Sequence, residues 1–317
     1  MSAARRRVEL LERYRGSLLG LAVGDALGTA LEFRAPGTFT PIRDMVGGGP
    51  FGLAPGQWTD DTAMALCLAE SLIECCGFDP VDQLHRYVRW WREGHLASTG
   101  SCFDIGTTVR TALERFERTG EPWCGPTDPR SAGNGSLMRV APVVLFYARA
   151  PAEAIARAAD SSRTTHQARE AVDACRCFAA LLLGALSGVP KDVLLGGDYT
   201  PVPGLWAEQP LAPAVREVAA GSFARREPPE IRGTGYVVRT LEAAHWAFHR
   251  SRSFAEGALR VVNLGEDADT TGAVYGQLAG AYYGERAIPA HWRARLARRA
   301  LIETYAERLY RLAHREA

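Results

Sequence analysis

Two short clusters of acidic and hydroxyl side chains are the first candidates for chemistry in this sequence. One is Thr59-Asp60-Asp61-Thr62, and the other lies in residues 265–272, which read GEDADTTG. Each cluster precedes or opens an apolar stretch, and Thr59 in particular suits the N-cap of a helix. Helix capping and the helix dipole would account for one such cluster, because Asp and Thr at a helix start contribute about 0.3–1 kcal/mol each.

Metal binding is the second interpretation of these clusters. Both place two carboxylates and a hydroxyl within four residues, and close carboxylates repel one another unless a cation neutralises them. Ligands that are all oxygen suit Mg²⁺ or Mn²⁺ rather than zinc. If folding brings the clusters together, they could hold two ions about 3.5–4 Å apart, the usual spacing for metal-assisted displacement. The spacing alone leaves capping and metal binding as equal alternatives.

Helices must position the clusters, because helical periodicity dominates the sequence. Apolar residues recur at three- and four-residue spacing in residues 8–33, 60–76, 81–93, 107–118, 136–147, 151–160, 166–186, 236–249, 254–263, 270–283 and 289–314. Glycine and proline mark loops at residues 47–56, 120–135, 188–213 and 228–235. The sequence therefore predicts an all-α fold, an orthogonal helix bundle with long functional loops that forms one domain over residues 1–317.

Two of the predicted helices carry a stripe of glycines at every fourth position. The stripes are Gly16, Gly20, Gly24 and Gly28 in one helix, and Gly272, Gly276, Gly280 and Gly284 in the other. Each glycine inside a helix costs about 0.5–1 kcal/mol relative to alanine. Close packing against a neighbouring helix would offset that cost, so we expect both helices to be central and possibly to cross each other. Chance in a glycine-rich chain is the alternative.

Charge and cysteine content argue against several classes of protein. The net charge is +1, with 37 basic and 36 acidic residues, so no bulk attraction to nucleic acid is expected. The seven cysteines are odd in number and include no CxxC pair, which disfavours disulfides and structural zinc. No signal peptide is recognisable, and the apolar stretch 16–31 contains Asp25 and is too short to span a bilayer comfortably. We expect a cytoplasmic protein, monomeric, that binds neither nucleic acid nor membrane.

Several segments in sequence order resemble one family. Residues 20–28, GLAVGDALG, with Glu32-Phe33 after them, resemble the opening signature of the ADP-ribosylglycohydrolases. Both acidic clusters are similar to that family's metal motifs, and residues 133–139, GNGSLMR, resemble its ADP-ribose loop. Phe103-Asp104-Ile105-Gly106, Thr165-His166 and residues 235–238 resemble three further family segments. The matches run from residue 16 to 284, nearly the whole chain.

The resemblance implies an all-α fold that holds two Mg²⁺ or Mn²⁺ ions. The implied metal ligands are Thr59, Asp60, Asp61, Asp267, Asp269 and Thr270. Glu32 and Asp104 fall at positions implicated in gating, water activation or proton transfer, and Asp61 joins them as a catalytic candidate. The implied contacts to ADP-ribose are Ser101, Phe103, Gly106, Asn134, Gly135, Ser136, Met138, His166 and Tyr236.

The residues themselves agree with this chemistry only in part. A glycine-rich loop ahead of a helix suits a pyrophosphate, although many such loops are mere turns. His166 begins a predicted apolar helix and by itself is typical of a capping or core histidine, and the rings of Phe103 and Tyr236 could stack on adenine or belong to the core. After His166 the family often has an acidic residue two positions on, whereas this chain has Gln167-Ala168.

The implied reaction is hydrolysis of the bond between ribose and a modified protein side chain. Such a reaction needs an activated water and a proton for the leaving group, and either Asp104 or Glu32 could supply acid or base. The compact TDDT and GNGSLMR patterns look most like arginine-directed members, so the expected substrate is an ADP-ribosylated protein and the product ADP-ribose. Alternatives are serine- or O-acetyl-linked ADP-ribose, a non-catalytic ADP-ribose-binding relative, and an isoprenoid-type synthase, whose aspartate spacing is absent after Asp61.

Overall fold

The computed structural model describes residues 8–315, and its secondary structure is helical. In that range no β-strand occurs, and strand-like pairing is limited to the isolated bridges Gly48–Leu53 and Gly133–Tyr236. The helices are α1 (Leu10–Gly28), α2 (Asp60–Glu74), α3 (Pro80–Glu93), α4 (Thr107–Thr119), α5 (Ala141–Phe146), α6 (Pro151–Arg163), α7 (Arg169–Leu186), α8 (Lys191–Leu194), α9 (Leu205–Glu208), α10 (Pro213–Ala219), α11 (Val237–Arg250), α12 (Phe254–Val262), α13 (Ala268–Tyr283), α14 (Ala290–Arg295) and α15 (Arg299–Ala313). The predicted all-α class is confirmed.

Three predicted helix bounds are wrong. The stretch 136–147 is helical only in α5, because the N–H groups of Leu137 and Met138 both turn back to the carbonyl of Asn134. The stretch 166–186 becomes helical only at Arg169. The stretch 289–314 is two helices, because Arg298 between them adopts the left-handed φ of 49°.

The two glycine stripes pack against each other, which confirms the predicted close crossing. α1 and α13 run antiparallel, and each stripe glycine faces a backbone carbonyl of the other helix. A Cβ atom on Gly16 would lie 2.2 Å from the carbonyl oxygen of Gly280, and one on Gly20 would lie 2.2 Å from that of Gly276. No side chain fits in that space, so only glycine permits this approach. The crossing places the C-terminal end of α1 beside the N-terminal end of α13.

The other helices surround this pair. α1, α7 and α13 are buried on nearly every side, whereas α3, α4 and α12 are amphipathic and cover the outside. One large apolar cluster draws on residues from Tyr14 to Leu309 and includes the buried side chains of Trp58 and Trp90. Among the described residues there is no helix whose length and apolar character would let it cross a membrane.

Candidate functional site

Asp25 in α1 fixes the position of the first acidic cluster. Its side chain is fully buried, and each carboxylate oxygen accepts hydrogen bonds from α2. The N–H and hydroxyl of Thr59 donate to Oδ1, both at 2.9 Å, and the N–H and hydroxyl of Thr62 donate to Oδ2 at 3.1 and 2.6 Å. The start of α2 is therefore tied to the end of α1. The sequence analysis did not assign Asp25 to the site, although an acidic residue alone in an apolar helix must find buried partners.

The two acidic clusters meet at the hydroxyl of Thr59. Its Oγ1 lies 2.9 Å from Asp25 Oδ1, 3.0 Å from Asp61 Oδ2 and 3.4 Å from Asp269 Oδ2. The glycine crossing produces this meeting, since it carries the start of α13 to the start of α2. One hydroxyl hydrogen cannot serve three acceptors, so carboxylate oxygens here lack donors.

Simple helix capping does not explain either cluster. Thr59 and Asp267 occupy the N-cap positions of α2 and α13, and neither side chain accepts a capping hydrogen bond from its own helix. The Thr59 hydroxyl turns to the carboxylates, and Asp267 Oδ2 accepts instead from Asn134 Nδ2 at 2.8 Å. Of the two interpretations open from the sequence, capping thus lacks its hydrogen bonds.

Glu32 and Asp104 bring two more carboxyl groups to the same place. Glu32 follows α1 after a single 3₁₀ turn and forms a side-chain hydrogen bond with Asp269. Asp104 precedes α4 and accepts a hydrogen bond from the backbone of Asp60. The acids predicted from the sequence therefore gather from three separate segments of the chain.

Burial raises the pKa of every carboxyl at the centre of the site. It raises the pKa of Glu32 to about 8, that of Asp104 to about 7 and that of Asp25 to about 6, and the neighbouring carboxylates add to the shift for Glu32 and Asp104. The pKa values of three further carboxyls, again through burial first and like charge second, lie well above the usual range. These are Asp60, Asp61 and Asp269.

Three buried carboxylate oxygens at the site have no hydrogen-bond partner. They are Oδ1 of Asp61, Oε2 of Glu32 and Oδ2 of Asp104. An unpaired buried charge is unfavourable, and such oxygens suit a cation or bound water. Within residues 8–315 no three His, Cys, Asp or Glu side chains by themselves form a group that could hold a metal ion. The predicted ligand set differs from such a group, since it includes the hydroxyls of Thr59 and Thr270.

The glycine-rich loop 133–139 lies beside the second acidic cluster. Besides Asp267, Asn134 Nδ2 donates to the hydroxyl of Thr240 at 2.9 Å, and the Asn134 N–H donates to the carbonyl of Gly235. The side chains of Ser136 and Met138 are buried, so the loop would offer a ligand mainly backbone at these two positions. The expected helix N-terminus is absent here, because α5 begins only at Ala141.

His166 supports this loop from below. Its ring is buried, and a Cβ atom on Gly135 would lie 2.9 Å from its Cε1 atom. Burial lowers the pKa of His166 to about 3, with the Arg139 charge adding to the effect. The imidazole is therefore neutral, and Nδ1 lies 2.9 Å from the hydroxyl of Thr165.

Arg139 is a second residue that sequence reasoning missed. Its guanidinium is fully buried, donates to the carbonyl of Gly135 at 2.8 Å and to the hydroxyl of Thr165 at 2.7 Å, and lies over the ring of Tyr87. A buried arginine with no carboxylate among its hydrogen-bond partners here is engaged by neutral oxygens and a π-face. It joins the loop to the turn that carries His166.

The remaining predicted contacts lie at the rim. Ser101 and Gly106 are exposed, and Gly106 is the N-cap of α4. The Phe103 ring packs on Phe51, with centroids 5.1 Å apart. Tyr236 is 38% exposed and its hydroxyl donates to Glu170 at 2.8 Å. No ligand contact is tested at any of these positions, so their binding roles stay predictions.

Comparison with known proteins identifies the family. Residues 6–317 match the sequence model of the ADP-ribosylglycohydrolase family. The chain belongs to the ADP-ribosylglycohydrolase family. An ADP-ribosylglycohydrolase can therefore be compared here with named relatives, and the predicted resemblance is confirmed.

Two relatives and one solved structure illustrate the similarity of this ADP-ribosylglycohydrolase to known members. The ADP-ribosylarginine hydrolase Tri1 of Pseudomonas putida (strain GB-1) is 42% identical over 309 residues, which cover 95% of this chain and 79% of that protein. The ADP-ribosyl-(dinitrogen reductase) glycohydrolase of Rhodospirillum rubrum is 33% identical over 289 residues, 90% of each chain. A solved structure described as an ADP-ribosylglycohydrolase-related protein complex is 50% identical, has a TM-score of 0.85, and is matched over 96% of this chain and 99% of that one.

Proposed function

We propose that this protein is a metal-dependent hydrolase that removes ADP-ribose from arginine side chains of modified proteins. The observation that carries the proposal is the meeting of two acidic clusters, one from each of two separate helices, at the hydroxyl of Thr59. The arginine linkage is supported by relatives at 42% and 40% identity that are named ADP-ribosylarginine hydrolases.

The six predicted ligands would hold two Mg²⁺ or Mn²⁺ ions. They are Thr59, Asp60, Asp61, Asp267, Asp269 and Thr270. Their donor atoms are hard oxygens, three acceptors compete for the single Thr59 hydrogen, and Asp61 Oδ1 has no partner. Bound ions would orient the ribose hydroxyls and lower the pKa of a bound water.

Glu32 and Asp104 supply the proton transfers in this proposal. Departure of the guanidine from the ribose needs a proton donor, and attack by water needs an acceptor. Burial raises the pKa of Glu32 to about 8 and of Asp104 to about 7, so either carboxyl can take up or release a proton near neutral pH. Either assignment of acid and base fits their position beside Asp60 and Asp269.

Location and partners are part of the proposal as well. All seven cysteines are free, which is consistent with the reducing cytoplasm. The near-zero net charge supports a substrate other than nucleic acid. We propose a cytoplasmic monomer that acts on ADP-ribosylated proteins and releases ADP-ribose.

The experiment that tests the function compares two peptides, one with ADP-ribose on arginine and one with ADP-ribose on serine. We expect the full-length protein to release ADP-ribose from the arginine-linked peptide with Mg²⁺ or Mn²⁺ and to lose that activity in excess chelator. Release from the serine-linked peptide alone would replace the arginine assignment. Full activity in chelator would remove the metal ions from the reaction.

A test of binding separates a hydrolase from a relative that only binds. Mg²⁺ or Mn²⁺ together with ADP-ribose should raise the melting temperature of the protein, because a ligand of the folded state stabilises it. A rise in melting temperature without turnover of either peptide would indicate a non-catalytic ADP-ribose-binding protein.

A further inference from the structure

Three phenylalanine rings form a row at the edge of the carboxyl site. Phe33 and Phe51 contact edge to face with ring centroids 6.4 Å apart, and Phe51 contacts Phe103 with centroids 5.1 Å apart. Phe33 directly follows Glu32, and Phe103 directly precedes Asp104. We call these three residues the phenylalanine row, and it runs from one proton-transfer candidate to the other.

Phe33 has two properties that core packing does not explain. Its side chain is 71% exposed, the largest value among the exposed large apolar side chains of the described region. Its backbone also adopts the left-handed region, with φ of 59°, which costs a bulky residue energy. An exposed ring in a strained backbone contributes little to folding, so its position points to a role in binding.

The strained conformation is held in place by the second acidic segment. The Phe33 N–H donates to the carbonyl of Glu266 at 2.6 Å, and the Glu266 N–H donates to the carbonyl of Arg34 at 2.8 Å. Glu266 is itself left-handed, with φ of 58°, and its carboxylate pairs with Arg232. The ring of Phe33 is therefore offered from a backbone fixed at both neighbours.

The phenylalanine row and the glycine-rich loop approach the carboxyl site through different residues. The loop reaches it through Asn134, which donates to Asp267. The row reaches it through the chain neighbours of Glu32 and Asp104. If the ADP part of the substrate lies along the loop, as the proposed function requires, then the group attached to the ribose leaves past Glu32 and Asp104, along the row.

We propose that Phe33, backed by Phe51, receives the guanidinium of the ADP-ribosylated arginine and makes the site selective for that linkage. This inference rests on the proposed function. A guanidinium is planar, positively charged and weakly hydrated, and it stacks favourably on an aromatic face. A serine acceptor has neither the charge nor the plane, so the same ring gives it no comparable attraction. The exposed face of Phe33 is thus a positioning surface for the leaving group rather than a catalytic group.

The test measures kcat and KM of full-length Phe33→Ala, Phe33→Leu and wild-type protein on the arginine-linked peptide, and the Kd of each for free ADP-ribose. Phe33→Leu keeps apolar bulk and the same backbone constraint but has no π-face. We expect both variants to raise KM about 2- to 30-fold, the range that a cation–π contact supports, with the Kd for ADP-ribose unchanged. Val193→Ala, a remote substitution at a side chain that is also half exposed, serves as the control and should leave both constants unchanged.

The possible failures are distinguishable. If wild-type protein does not cleave the arginine-linked peptide, the proposed function fails and this inference with it. If wild-type protein cleaves that peptide and both Phe33 variants match it in KM, the inference alone is overturned. A weaker Kd for free ADP-ribose in both variants would overturn it too, because the ring would then belong to the adenosine side. If only Phe33→Ala raises KM, the contact is apolar and the guanidinium assignment is wrong.

Discussion

A Cβ atom on Gly24 would lie 2.0 Å from the carbonyl oxygen of Gly272. This contact belongs to the centre of the α1–α13 crossing and lies next to the site, since Asp25 is the following residue in α1 and Asp269 is three residues earlier in α13. The absence of side chains at the two glycines therefore sets the distance between two carboxylates of the site. The glycine stripes are part of the active-site architecture as well as of the core.

Substitution in the glycine stripe should destabilise the protein strongly. A Cβ atom on Gly276 would lie 1.9 Å from the carbonyl oxygen of Gly20, and backbone cannot move aside as a flexible side chain can. We expect Gly276→Ala to lower the free energy of unfolding by about 1–3 kcal/mol and Gly276→Leu by more, measured by urea denaturation. The matched control is Gly77→Ala, because a Cβ atom there would meet only the Tyr147 hydroxyl at 3.8 Å. Equal stability of Gly276→Leu and wild type would contradict the close crossing.

Removal of one carboxylate charge should separate stability from activity. In Asp269→Asn the side-chain oxygen can still accept the N–H of Thr270, now 2.8 Å from Oδ1, while repulsion from Glu32 and Asp61 is relieved. We expect the melting temperature of the metal-free variant to equal or exceed that of wild type, and its turnover to fall by at least about 100-fold, the scale for disturbance of a metal site.

The same variant tests metal binding without an activity assay. Mn²⁺ should raise the melting temperature of wild type much more than that of Asp269→Asn, and Asp192→Asn, at an exposed carboxylate in α8, should respond as wild type does. An identical Mn²⁺ shift in wild type and Asp269→Asn would remove Asp269 from the metal ligands.

Asp25→Asn should have the opposite effect on stability. Asp25 accepts two backbone N–H and two hydroxyl donors, and an asparagine NH₂ group at either oxygen position would face a backbone N–H. One buried donor is then left unpaired, which costs about 1–3 kcal/mol. We expect Asp25→Asn to unfold at lower urea concentration than wild type, whereas Asp269→Asn does not. A stabilised Asp25→Asn variant would mean that charge repulsion outweighs these hydrogen bonds.

The contents of the site were largely readable from the sequence, but their mutual arrangement was readable only in part. Asp and Thr clusters at helix starts identified Thr59 and Asp269 as a pair because the residue types suit the chemistry. The identity of the link between the clusters was not encoded locally. It depends on Asp25, whose partners lie 34 and 37 residues away, and on a glycine crossing between opposite ends of the chain.

Local pattern also failed where tertiary contacts override periodicity. The stretch from Asn134 to Val140 has helical spacing, yet Asn134 is held by Asp267 and Gly235, and Arg139 turns inward to the Gly135 carbonyl. Those contacts favour turns over a helix. An arginine in an apolar run gave no indication from sequence that it would be fully buried beneath a ligand loop.

The raised pKa of Glu32 leads to a prediction about pH. Burial raises the pKa of Glu32 to about 8 in the folded protein, from about 4.5 when unfolded. Between these values the folded state holds a proton that the unfolded state has lost, so this group's contribution to stability is complete below about pH 4.5 and is lost as pH rises through 8. Asp104, whose pKa burial raises to about 7, acts in the same direction.

Glu32→Gln isolates this contribution, because glutamine has no proton to lose. Buried His166 and His245, whose pKa values burial lowers to about 3 and about 4, stabilise the folded state above pH 6.5 and oppose the carboxyls below it, but they are unchanged in the variant. In metal-free buffer we expect wild type to lose stability relative to Glu32→Gln as pH rises from 5.5 to 8.5, measured as the difference between their melting temperatures. With saturating Mn²⁺ the difference should shrink, because a cation favours the ionised carboxyls. Parallel pH profiles of the two proteins in metal-free buffer would show that Glu32 is already ionised at pH 5.5.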